Sequence, residues 1–230
     1  MNVTPDHIFY QTAGAREYIL RFDAGAAERA IAIIPPLFDE MNRTRRMMIE
    51  AMRALGLRGV SSMLPDLPGC NESLAPMAQQ SITGWRNAVA DVTRQYKVTH
   101  IAAIRGGCLL DDVAGLPSLR LAPVAGASLL KTMLRTRIAA DREAGVNTSM
   151  EELRAMGERA DCDLAGYALG PSMLKELDAA NPAQGDFISE VQNADIAGTP
   201  LWLRSEPGEN ANMSAALAAR LDAWSATCGR

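Results

Sequence analysis

The chain has 230 residues, of which 48% are hydrophobic and 22% charged, and it carries a net charge of −4 at neutral pH. This composition is typical of a globular protein with a sizeable core, and we expect a single domain over residues 1–230. The acidic balance excludes the molecule-wide basic surface that attracts a nucleic-acid backbone, so no nucleic-acid partner is expected.

The N-terminal stretch MNVTPDHIFYQTAG lacks the charged and apolar regions of a secretion signal, and no apolar run is long enough to cross a membrane. The sequence therefore predicts a cytoplasmic protein with no membrane span. The cysteines are far apart and form no CxxC pair, which predicts reduced thiols and neither a metal site nor a disulfide framework. Nothing in the sequence indicates a cofactor. The cysteines are Cys70, Cys108, Cys162 and Cys228.

Strand and helix patterns alternate over the first half of the chain. A hairpin is predicted from HIFYQT and REYILRF, and RAIAIIPPLF is predicted to be a buried strand that ends at its prolines. The patterns that follow are helix TRRMMIEAMRALGLRG, strand VSSMLPDL, helix SITGWRNAVADVTRQY, strand HIAAIR, helix GGCLLDDVAG and strand LRLAPVAG. This alternation predicts a doubly wound, mostly parallel α/β sheet with helices on both faces.

The alternation stops at about residue 127. Two amphipathic helices, SLLKTMLRTRIAADREAG and SMEELRAMGERA, are followed by a short extended piece and a helix that begins at Pro171. Their place after the sixth strand predicts a helical lid over about residues 127–180. TPLWLRSE is then predicted to be a strand, and MSAALAARLDAW is predicted to be the closing helix.

The stretch THIAAIRGGCLL predicts a buried strand that turns sharply into a helix, and we call residues 103–107 the elbow. In one large class of enzymes such a turn carries a nucleophilic serine between glycines. Here its tip is Arg105, whose guanidinium stays protonated and cannot act as a nucleophile. No histidine follows His100, so the general base expected after the nucleophile is missing too. The sequence thus predicts no Ser-His-Asp triad and assigns no catalytic residue.

Several blocks of the chain, in the same order, resemble the α/β-hydrolase-like proteins called exosortase A system-associated hydrolase 2. The blocks are PPLFDEMNRTRRMM, DLPGCNES, AIRGG, PVAGASLLKTMLRTRIA and AGYALGPSML. The resemblance implies an α/β-hydrolase-like fold and a bacterial setting in exopolysaccharide export and protein sorting. It also implies that arginine at this position is common in the family, because the elbow of its members often reads G-L-R-x-G. Ala103 departs from that pattern. We expect the last strand of the fold, with its histidine loop, to be missing.

Two interpretations of Arg105 remain open from the sequence. In the first, Asp39 or Glu40 in the facing loop pairs with it as an internal salt bridge. In the second, the guanidinium and the amides at the start of the next helix bind an exchangeable small anionic or acyl/sugar ligand. The predicted ligand-binding residues are Arg105, Gly106, Gly107, Leu37, Phe38 and Asp39.

Other candidate residues have structural interpretations that we favour. Cys108 is predicted to be a core thiol, and Ser73 a turn residue or helix cap. The resemblance gives Asp66 a structural role in the pocket wall. A basic cluster lies at the start of the first predicted helix, and we interpret it as solvated charges that are balanced by Asp39, Glu40 and Glu50. Alternatively, the cluster contacts an acidic partner or anionic ligand. That cluster consists of Arg43, Arg45 and Arg46.

The function predicted from these features is that of an accessory or anion-binding protein with an α/β-hydrolase-like fold. One alternative is a divergent hydrolase or acyltransferase, of the esterase or thioesterase class, that acts on esters or thioesters with an unconventional nucleophile. A second alternative is a structural subunit of a homodimer formed through an apolar sheet edge.

Overall fold

The structure, a computed structural model, describes residues 4–192, 195–196, 199–204 and 206–228. Its strands are β1 Asp6–Thr12, β2 Ala15–Phe22, β3 Ala30–Ile34, β4 Ser61–Pro65, β5 His100–Ile104, β6 Ser118–Leu121, β7 Cys162–Leu164, β8 Tyr167–Leu169 and β9 Ile188–Val191. Its α-helices are α1 Asp39–Leu57, α2 Ile82–Gln95, α3 Gly126–Glu143, α4 Met150–Gly157, α5 Pro171–Ala179 and α6 Ala211–Ser225. Short 3₁₀ helices lie at Met77–Gln79, Arg105–Leu109 and Leu201–Leu203.

Seven strands form one sheet in the order β1-β2-β4-β3-β5-β6-β9. The pairs β1–β2 and β2–β4 are antiparallel, and all other pairs are parallel. The predicted doubly wound, mostly parallel sheet is therefore confirmed. Because β3 and β5 are parallel neighbours, the loop after β3 and the elbow after β5 lie side by side at the carboxyl edge.

Core side chains cover both faces of this sheet. Along β3, Ile31 and Ile33 pack with α1 and α6, whereas Ala32 and Ile34 pack on the opposite face with α2 and α3. A strand covered on both faces needs a continuous apolar run, which is why this one stands out in the sequence. In α1 the methionines predicted to face the core are fully buried, and Gly59, at φ 76, follows the helix end. These methionines are Met47, Met48 and Met52.

Side chains at the C-terminal end of α2 and just after it cover the β1 edge of the sheet. Gln95 donates to the Gln11 carbonyl and accepts from the Gln11 amide, at 2.7 and 2.9 Å, and the Tyr96 hydroxyl donates to the Phe9 carbonyl. These bonds occupy backbone groups that would otherwise pair with another strand.

Two predicted elements were wrong. The stretch GGCLLDDVAG forms a short 3₁₀ helix and turns, because two glycines disfavour an α-helix and the Asp111 side chain is engaged by Arg120. The stretch TPLWLRSE contains a 3₁₀ helix, at Leu201–Leu203, and the edge strand is β9, which the sequence analysis missed. No strand follows β9 among residues 195–196, 199–204 and 206–228.

The helices predicted after the sixth strand are present. We call residues 126–179 the insertion; it contains α3, α4 and α5, together with the β7–β8 hairpin, of which β7 was not predicted. Within the described ranges, no helix is both long enough and apolar enough to cross a membrane.

Candidate functional site

The backbone turns sharply at the end of β5. Arg105 has φ 54, a left-handed conformation that is uncommon for a residue with a side chain. A Cβ added at Gly107 would lie 2.5 Å from the Pro35 oxygen and 2.6 Å from the Ile34 oxygen. Only glycine fits there, because the backbone that follows β3 passes directly against the elbow.

The Arg105 side chain is held within the protein. Its Nε donates to Glu40 Oε2 and its Nη2 donates to Glu40 Oε1, both at 3.1 Å, while Nη1 donates to the Ala122 carbonyl at 3.2 Å. The guanidinium carbon lies 5.3 Å from the centroid of the Trp202 ring. The two charged side chains are only 19% and 18% exposed. Arg105 and Glu40 therefore form a bidentate, charge-assisted salt bridge, and every guanidinium nitrogen of Arg105 makes a contact.

Of the two acids considered as partners of Arg105, Glu40 makes the contact. Asp39 pairs instead with Arg43, one turn further along α1. Both acids lie in the first turn of α1, where the helix dipole favours negative charge.

Apolar side chains surround the other predicted site residues. A Cβ added at Gly106 would lie 2.8 Å from Leu129 Cδ1 and 2.9 Å from Leu37 Cγ. Phe38 is 4% exposed, with its ring centroid 5.6 Å from that of Trp85. The structure therefore brings the elbow and the loop after β3 together, and it packs leucines against the glycine that follows Arg105.

Both histidines of the chain lie in described segments, and neither is at the elbow. His100 begins β5 and is separated from Arg105 by the length of the strand, about 16 Å at 3.3 Å per residue. Its Nε2 contacts the Cys228 carbonyl at 2.9 Å and its Nδ1 contacts Thr99 Oγ1 at 2.8 Å. Burial lowers the pKa of His100, which favours its neutral form. His7, on β1, pairs with the Tyr18 hydroxyl.

The other nucleophile candidates have structural roles. The Cys108 thiol is 1% exposed and donates to the Ala103 carbonyl at 3.4 Å, and burial raises its pKa well above the usual value. The Ser73 hydroxyl accepts from the Gly69 amide at 2.8 Å and donates to Glu17 at 3.0 Å. The predictions of a core thiol and a turn residue are confirmed.

Acidic partners balance the basic cluster at the start of α1. Arg45 donates to Asp66 at 3.2 Å, and Arg46 pairs with Glu209. Asp66 is fully buried and also accepts from Asn71 at 2.6 Å, so it anchors the loop after β4. The expected balance is confirmed only for Asp39, which pairs with Arg43, because Glu40 pairs with Arg105 and Glu50 with Arg53. The partners of Arg45 and Arg46 were not identified from the sequence.

Sequence reasoning missed a fully buried ion pair next to the elbow. Arg120 on β6 donates from Nε and Nη2 to Asp111, at 2.8 and 2.7 Å, and both side chains are 0% exposed. The sequence did indicate such a pair, because Arg120 lies inside an apolar strand and a buried arginine requires a carboxylate partner. Among the side chains that the structure describes, no group of three or more His, Cys, Asp or Glu residues is placed to hold a metal ion.

No protein-family model matches the sequence, and no curated protein matches it. Solved structures are similar to it. Est1E from Butyrivibrio proteoclasticus matches over 96% of this chain and 96% of its own, at 14% identity and a TM-score of 0.55. Est1E with ferulic acid bound matches over 75% and 70%, at 15% identity and a TM-score of 0.54.

Two further likenesses are weaker. The alpha/beta hydrolase GrgF from Penicillium sp. sh18 matches over 64% of this chain, at 13% identity and a TM-score of 0.47, and the chain spans 57% of its length. The epoxide hydrolase VrEH1 from Vigna radiata matches over 53% of this chain, at 15% identity and a TM-score of 0.43, and the chain spans 40% of its length.

The sheet order, the turn after β5 and the likeness to Est1E agree on one architecture. The chain has the α/β-hydrolase fold.

Proposed function

We propose that this α/β-hydrolase-fold protein works without a Ser-His-Asp triad, as a non-catalytic accessory protein. The observation that carries the proposal is the ion pair at the elbow. Arg105 occupies the turn where this fold presents its nucleophile, and its guanidinium is engaged by Glu40 and the Ala122 carbonyl.

The size of the catalytic deficit supports this proposal. A serine hydrolase that lacks its triad keeps about 10³- to 10⁴-fold acceleration over water, all of it from the oxyanion hole and substrate binding. Here both the nucleophile and the base are absent from the elbow. Leu37 and Leu129 also pack against Gly106, next to the amides that would have to form an oxyanion hole. We therefore expect no turnover above that of the free substrate.

The resemblance to the exosortase A system-associated family supplies a setting for the proposal. We place the protein in a bacterial system of exopolysaccharide export and protein sorting, as a non-catalytic partner, with the insertion serving as a lid. We further propose that Glu40 is the resident partner of Arg105. An anionic ligand would have to compete with Glu40 for the same N–H groups, and it would leave a carboxylate facing the bound anion.

Hydrolysis assays with p-nitrophenyl esters and acyl thioesters test the proposal. We expect background rates from the wild-type protein and from Arg105→Ser, because a serine alone has no histidine to take its proton. Turnover by the wild-type protein that disappears in Arg105→Ser would establish an unconventional hydrolase instead. Cys108→Ser is the matched control for activity that depends on the nearby thiol.

Phosphate titration distinguishes an internal ion pair from an exchangeable anion. If Glu40 is the resident partner, phosphate leaves the melting temperature of the wild-type protein unchanged. A rise in melting temperature with phosphate that is lost in Arg105→Ala would establish the anion-binding alternative.

A further inference from the structure

A buried carboxyl group, that of Glu17 on β2, contacts the loop that follows β4. We call this loop, residues 67–76, the β4 loop. Glu17 is 2% exposed. Its Oε1 accepts a hydrogen bond from the Ser73 hydroxyl at 3.0 Å, whereas its Oε2 is buried with no partner in the part of the chain that the structure describes. A negative charge on this carboxyl is therefore costly, because one of its oxygens has neither water nor a donor.

The groups around Glu17 do not offset that cost. Tyr10, its cross-strand partner on β1, and Cys70 in the β4 loop are neutral, because burial raises the pKa of both, that of Cys70 to about 12. Among the described side chains near Glu17 the cation is Arg45, and it pairs with Asp66 at 3.2 Å. The titratable and charged groups that face Glu17, directly or through Tyr10 or Asp66, are Tyr10 on β1, Asp66 and Cys70 after β4, Arg45 on α1 and Asp91 on α2.

The hydroxyl of Ser73 fixes the β4 loop to β2 at this point. It accepts from the amides of Gly69 at 2.8 Å and Ala75 at 3.2 Å, and it donates to Glu17. A hydroxyl group offers one donor and two acceptor positions, so all three are in use. The turn of the loop thus depends on a hydroxyl whose own proton is directed at the Glu17 carboxyl.

Little apolar surface holds the tip of the β4 loop in place. Leu74 is 99% exposed, and Asn71 and Glu72 are exposed as well. The tip is tied down by polar contacts, in which the Asn71 side chain and the Glu72 amide donate to Asp66 at 2.6 and 3.3 Å. Segments with few buried apolar contacts open locally at a free energy below that of global unfolding. Such an opening of the β4 loop would let water reach Glu17.

We propose that Glu17 and Ser73 form a proton-dependent latch on the β4 loop, which is closed while the Glu17 carboxyl holds its proton and is released when the proton is lost. Water stabilises the carboxylate in the open loop. The closed loop accordingly raises the pKa of Glu17, chiefly through burial and further through Asp66, and the Ser73 bond opposes this only in part.

The direction of the pH dependence follows from linkage. The stabilisation of the closed loop by the Glu17 proton is complete below the ordinary pKa of 4.5 and is lost as the pH rises through the raised pKa. Over this range the opening constant of the loop increases about tenfold for each unit by which the pKa of the closed loop exceeds that of the open one.

Release of the β4 loop affects the surroundings of the candidate site. Trp85 donates from Nε1 to the Pro68 carbonyl at 2.8 Å, and its ring packs against that of Phe38 in the loop after β3. Opening breaks the first of these contacts and uncovers Cys70, which is 6% exposed in the closed loop. The inference stands apart from the proposed function, because it involves no residue of the elbow.

Amide hydrogen exchange of the full chain tests the latch, because the amides of Gly69 and Ala75 donate to Ser73 itself. Protection factors, corrected for the intrinsic pH dependence of exchange, are measured from about pH 4.5 to about pH 7. We expect both factors to fall as the pH rises in the wild-type protein and to be independent of pH in Glu17→Gln. Amides of β3 should be better protected than both, because they report the opening of the whole protein.

Glu72→Gln is the matched control, since it removes an exposed carboxyl from the same loop. This variant should keep the pH dependence of the wild-type protein. The proposal is overturned by pH-independent protection in the wild-type protein, by a pH dependence that survives in Glu17→Gln or disappears in Glu72→Gln, or by loop amides as well protected as those of β3. Circular dichroism melting checks that the variants are folded.

The Cys70 thiol provides an independent measurement, because the closed loop buries it. Its rate of labelling by a thiol reagent, divided by the rate for an unstructured cysteine peptide at the same pH, reports the opening constant. Mass spectrometry of the labelled peptides distinguishes Cys70 from the other cysteines. We expect this ratio to rise with pH in the wild-type protein, to stay constant in Glu17→Gln and to be higher at every pH in Ser73→Ala. If Ser73→Ala labels no faster than the wild-type protein, Ser73 does not hold the loop and the latch is refuted.

Discussion

Replacement of Arg105 by alanine or by glycine separates two effects of this residue on the stability of the protein. One effect comes from the ion pair with Glu40, and the other comes from the backbone conformation at the elbow. Arg105→Ala removes the two hydrogen bonds to Glu40, the bond to the Ala122 carbonyl and the contact with Trp202. Arg105→Gly removes the same contacts, but it also relieves the left-handed backbone at φ 54. The difference between the two variants therefore reports the backbone alone.

The expected loss of stability follows from the burial of the pair. An exposed ion pair contributes at most about 1 kcal/mol, whereas loss of one partner of a fully buried pair costs about 3 to 5 kcal/mol. The side chains of Arg105 and Glu40 are 19% and 18% exposed, so we expect Arg105→Ala to destabilise the protein by about 2 to 3 kcal/mol. In the left-handed region alanine is strained by about 1 to 2 kcal/mol. Glycine avoids that strain but loses about 0.5 to 1 kcal/mol of chain entropy. Arg105→Gly should therefore be more stable than Arg105→Ala by up to about 1.5 kcal/mol.

Urea unfolding with linear extrapolation measures these differences, provided that the m-value is unchanged among the variants. A double-mutant cycle with Glu40→Gln should give a coupling of about 1 to 2 kcal/mol between the two positions. The reasoning fails if Arg105→Ala is as stable as the wild-type protein, or if the effects of the two single substitutions simply add. A glycine variant that is clearly less stable than the alanine variant would show that the backbone at the tip is not left-handed.

Three further predictions concern buried groups near the site. Glu17 is 2% exposed, its Oε2 has no hydrogen-bond partner in the described structure, and burial raises its pKa. The native state therefore keeps the Glu17 proton to a higher pH than the unfolded chain does, so the stability that Glu17 contributes falls as the pH rises from about 4.5 through the raised pKa. Melting temperatures of the wild-type protein and of Glu17→Gln, measured at several pH values, should show that this pH dependence is absent from the variant. Arg120→Met should cost about 3 to 5 kcal/mol by leaving Asp111 buried and unpaired, and urea unfolding should show most of that loss recovered when Asp111→Leu is added. Gly107→Ala places a methyl group 2.5 Å from a backbone oxygen, so its melting temperature should fall by several degrees or more, and an unchanged value would contradict the packing described.

Local sequence signals predicted most of the fold. The prolines after β3, the glycine after α1 and Ser81 at the start of α2 mark the ends of their elements, and Ser81 accepts from the Gly84 amide as a helix cap should. β9 was missed because its four residues lie at a half-exposed edge, without the continuous apolar run of a central strand. The apolar run at Leu201–Leu203 is buried in part, but as a 3₁₀ helix that packs against α1.

The partner of Arg105 at the candidate site could not be predicted in the same way, because it is set by the tertiary fold and not by local sequence patterns. Asp39 and Glu40 are adjacent in the sequence and equal in charge, so nothing local distinguishes them as partners of Arg105. The distinction arises because both lie on α1, where successive side chains point about 100° apart. Glu40 then faces the elbow, and Asp39 lies over Arg43 one turn along.

The elbow retains its sharp turn without a nucleophile because the turn is required by packing around it. Gly107 passes against the carbonyls that follow β3, Gly106 is packed against two leucines, and the Cys108 thiol bonds back to the end of β5. None of these contacts involves the side chain at position 105, and together they hold the backbone of Arg105 in the left-handed conformation. Arg105 offsets that strain through Glu40, an anion already favoured by the N-terminus of α1. The strained turn is therefore evidence of the fold, and the chemistry of the site has to be argued from the side chain at its tip.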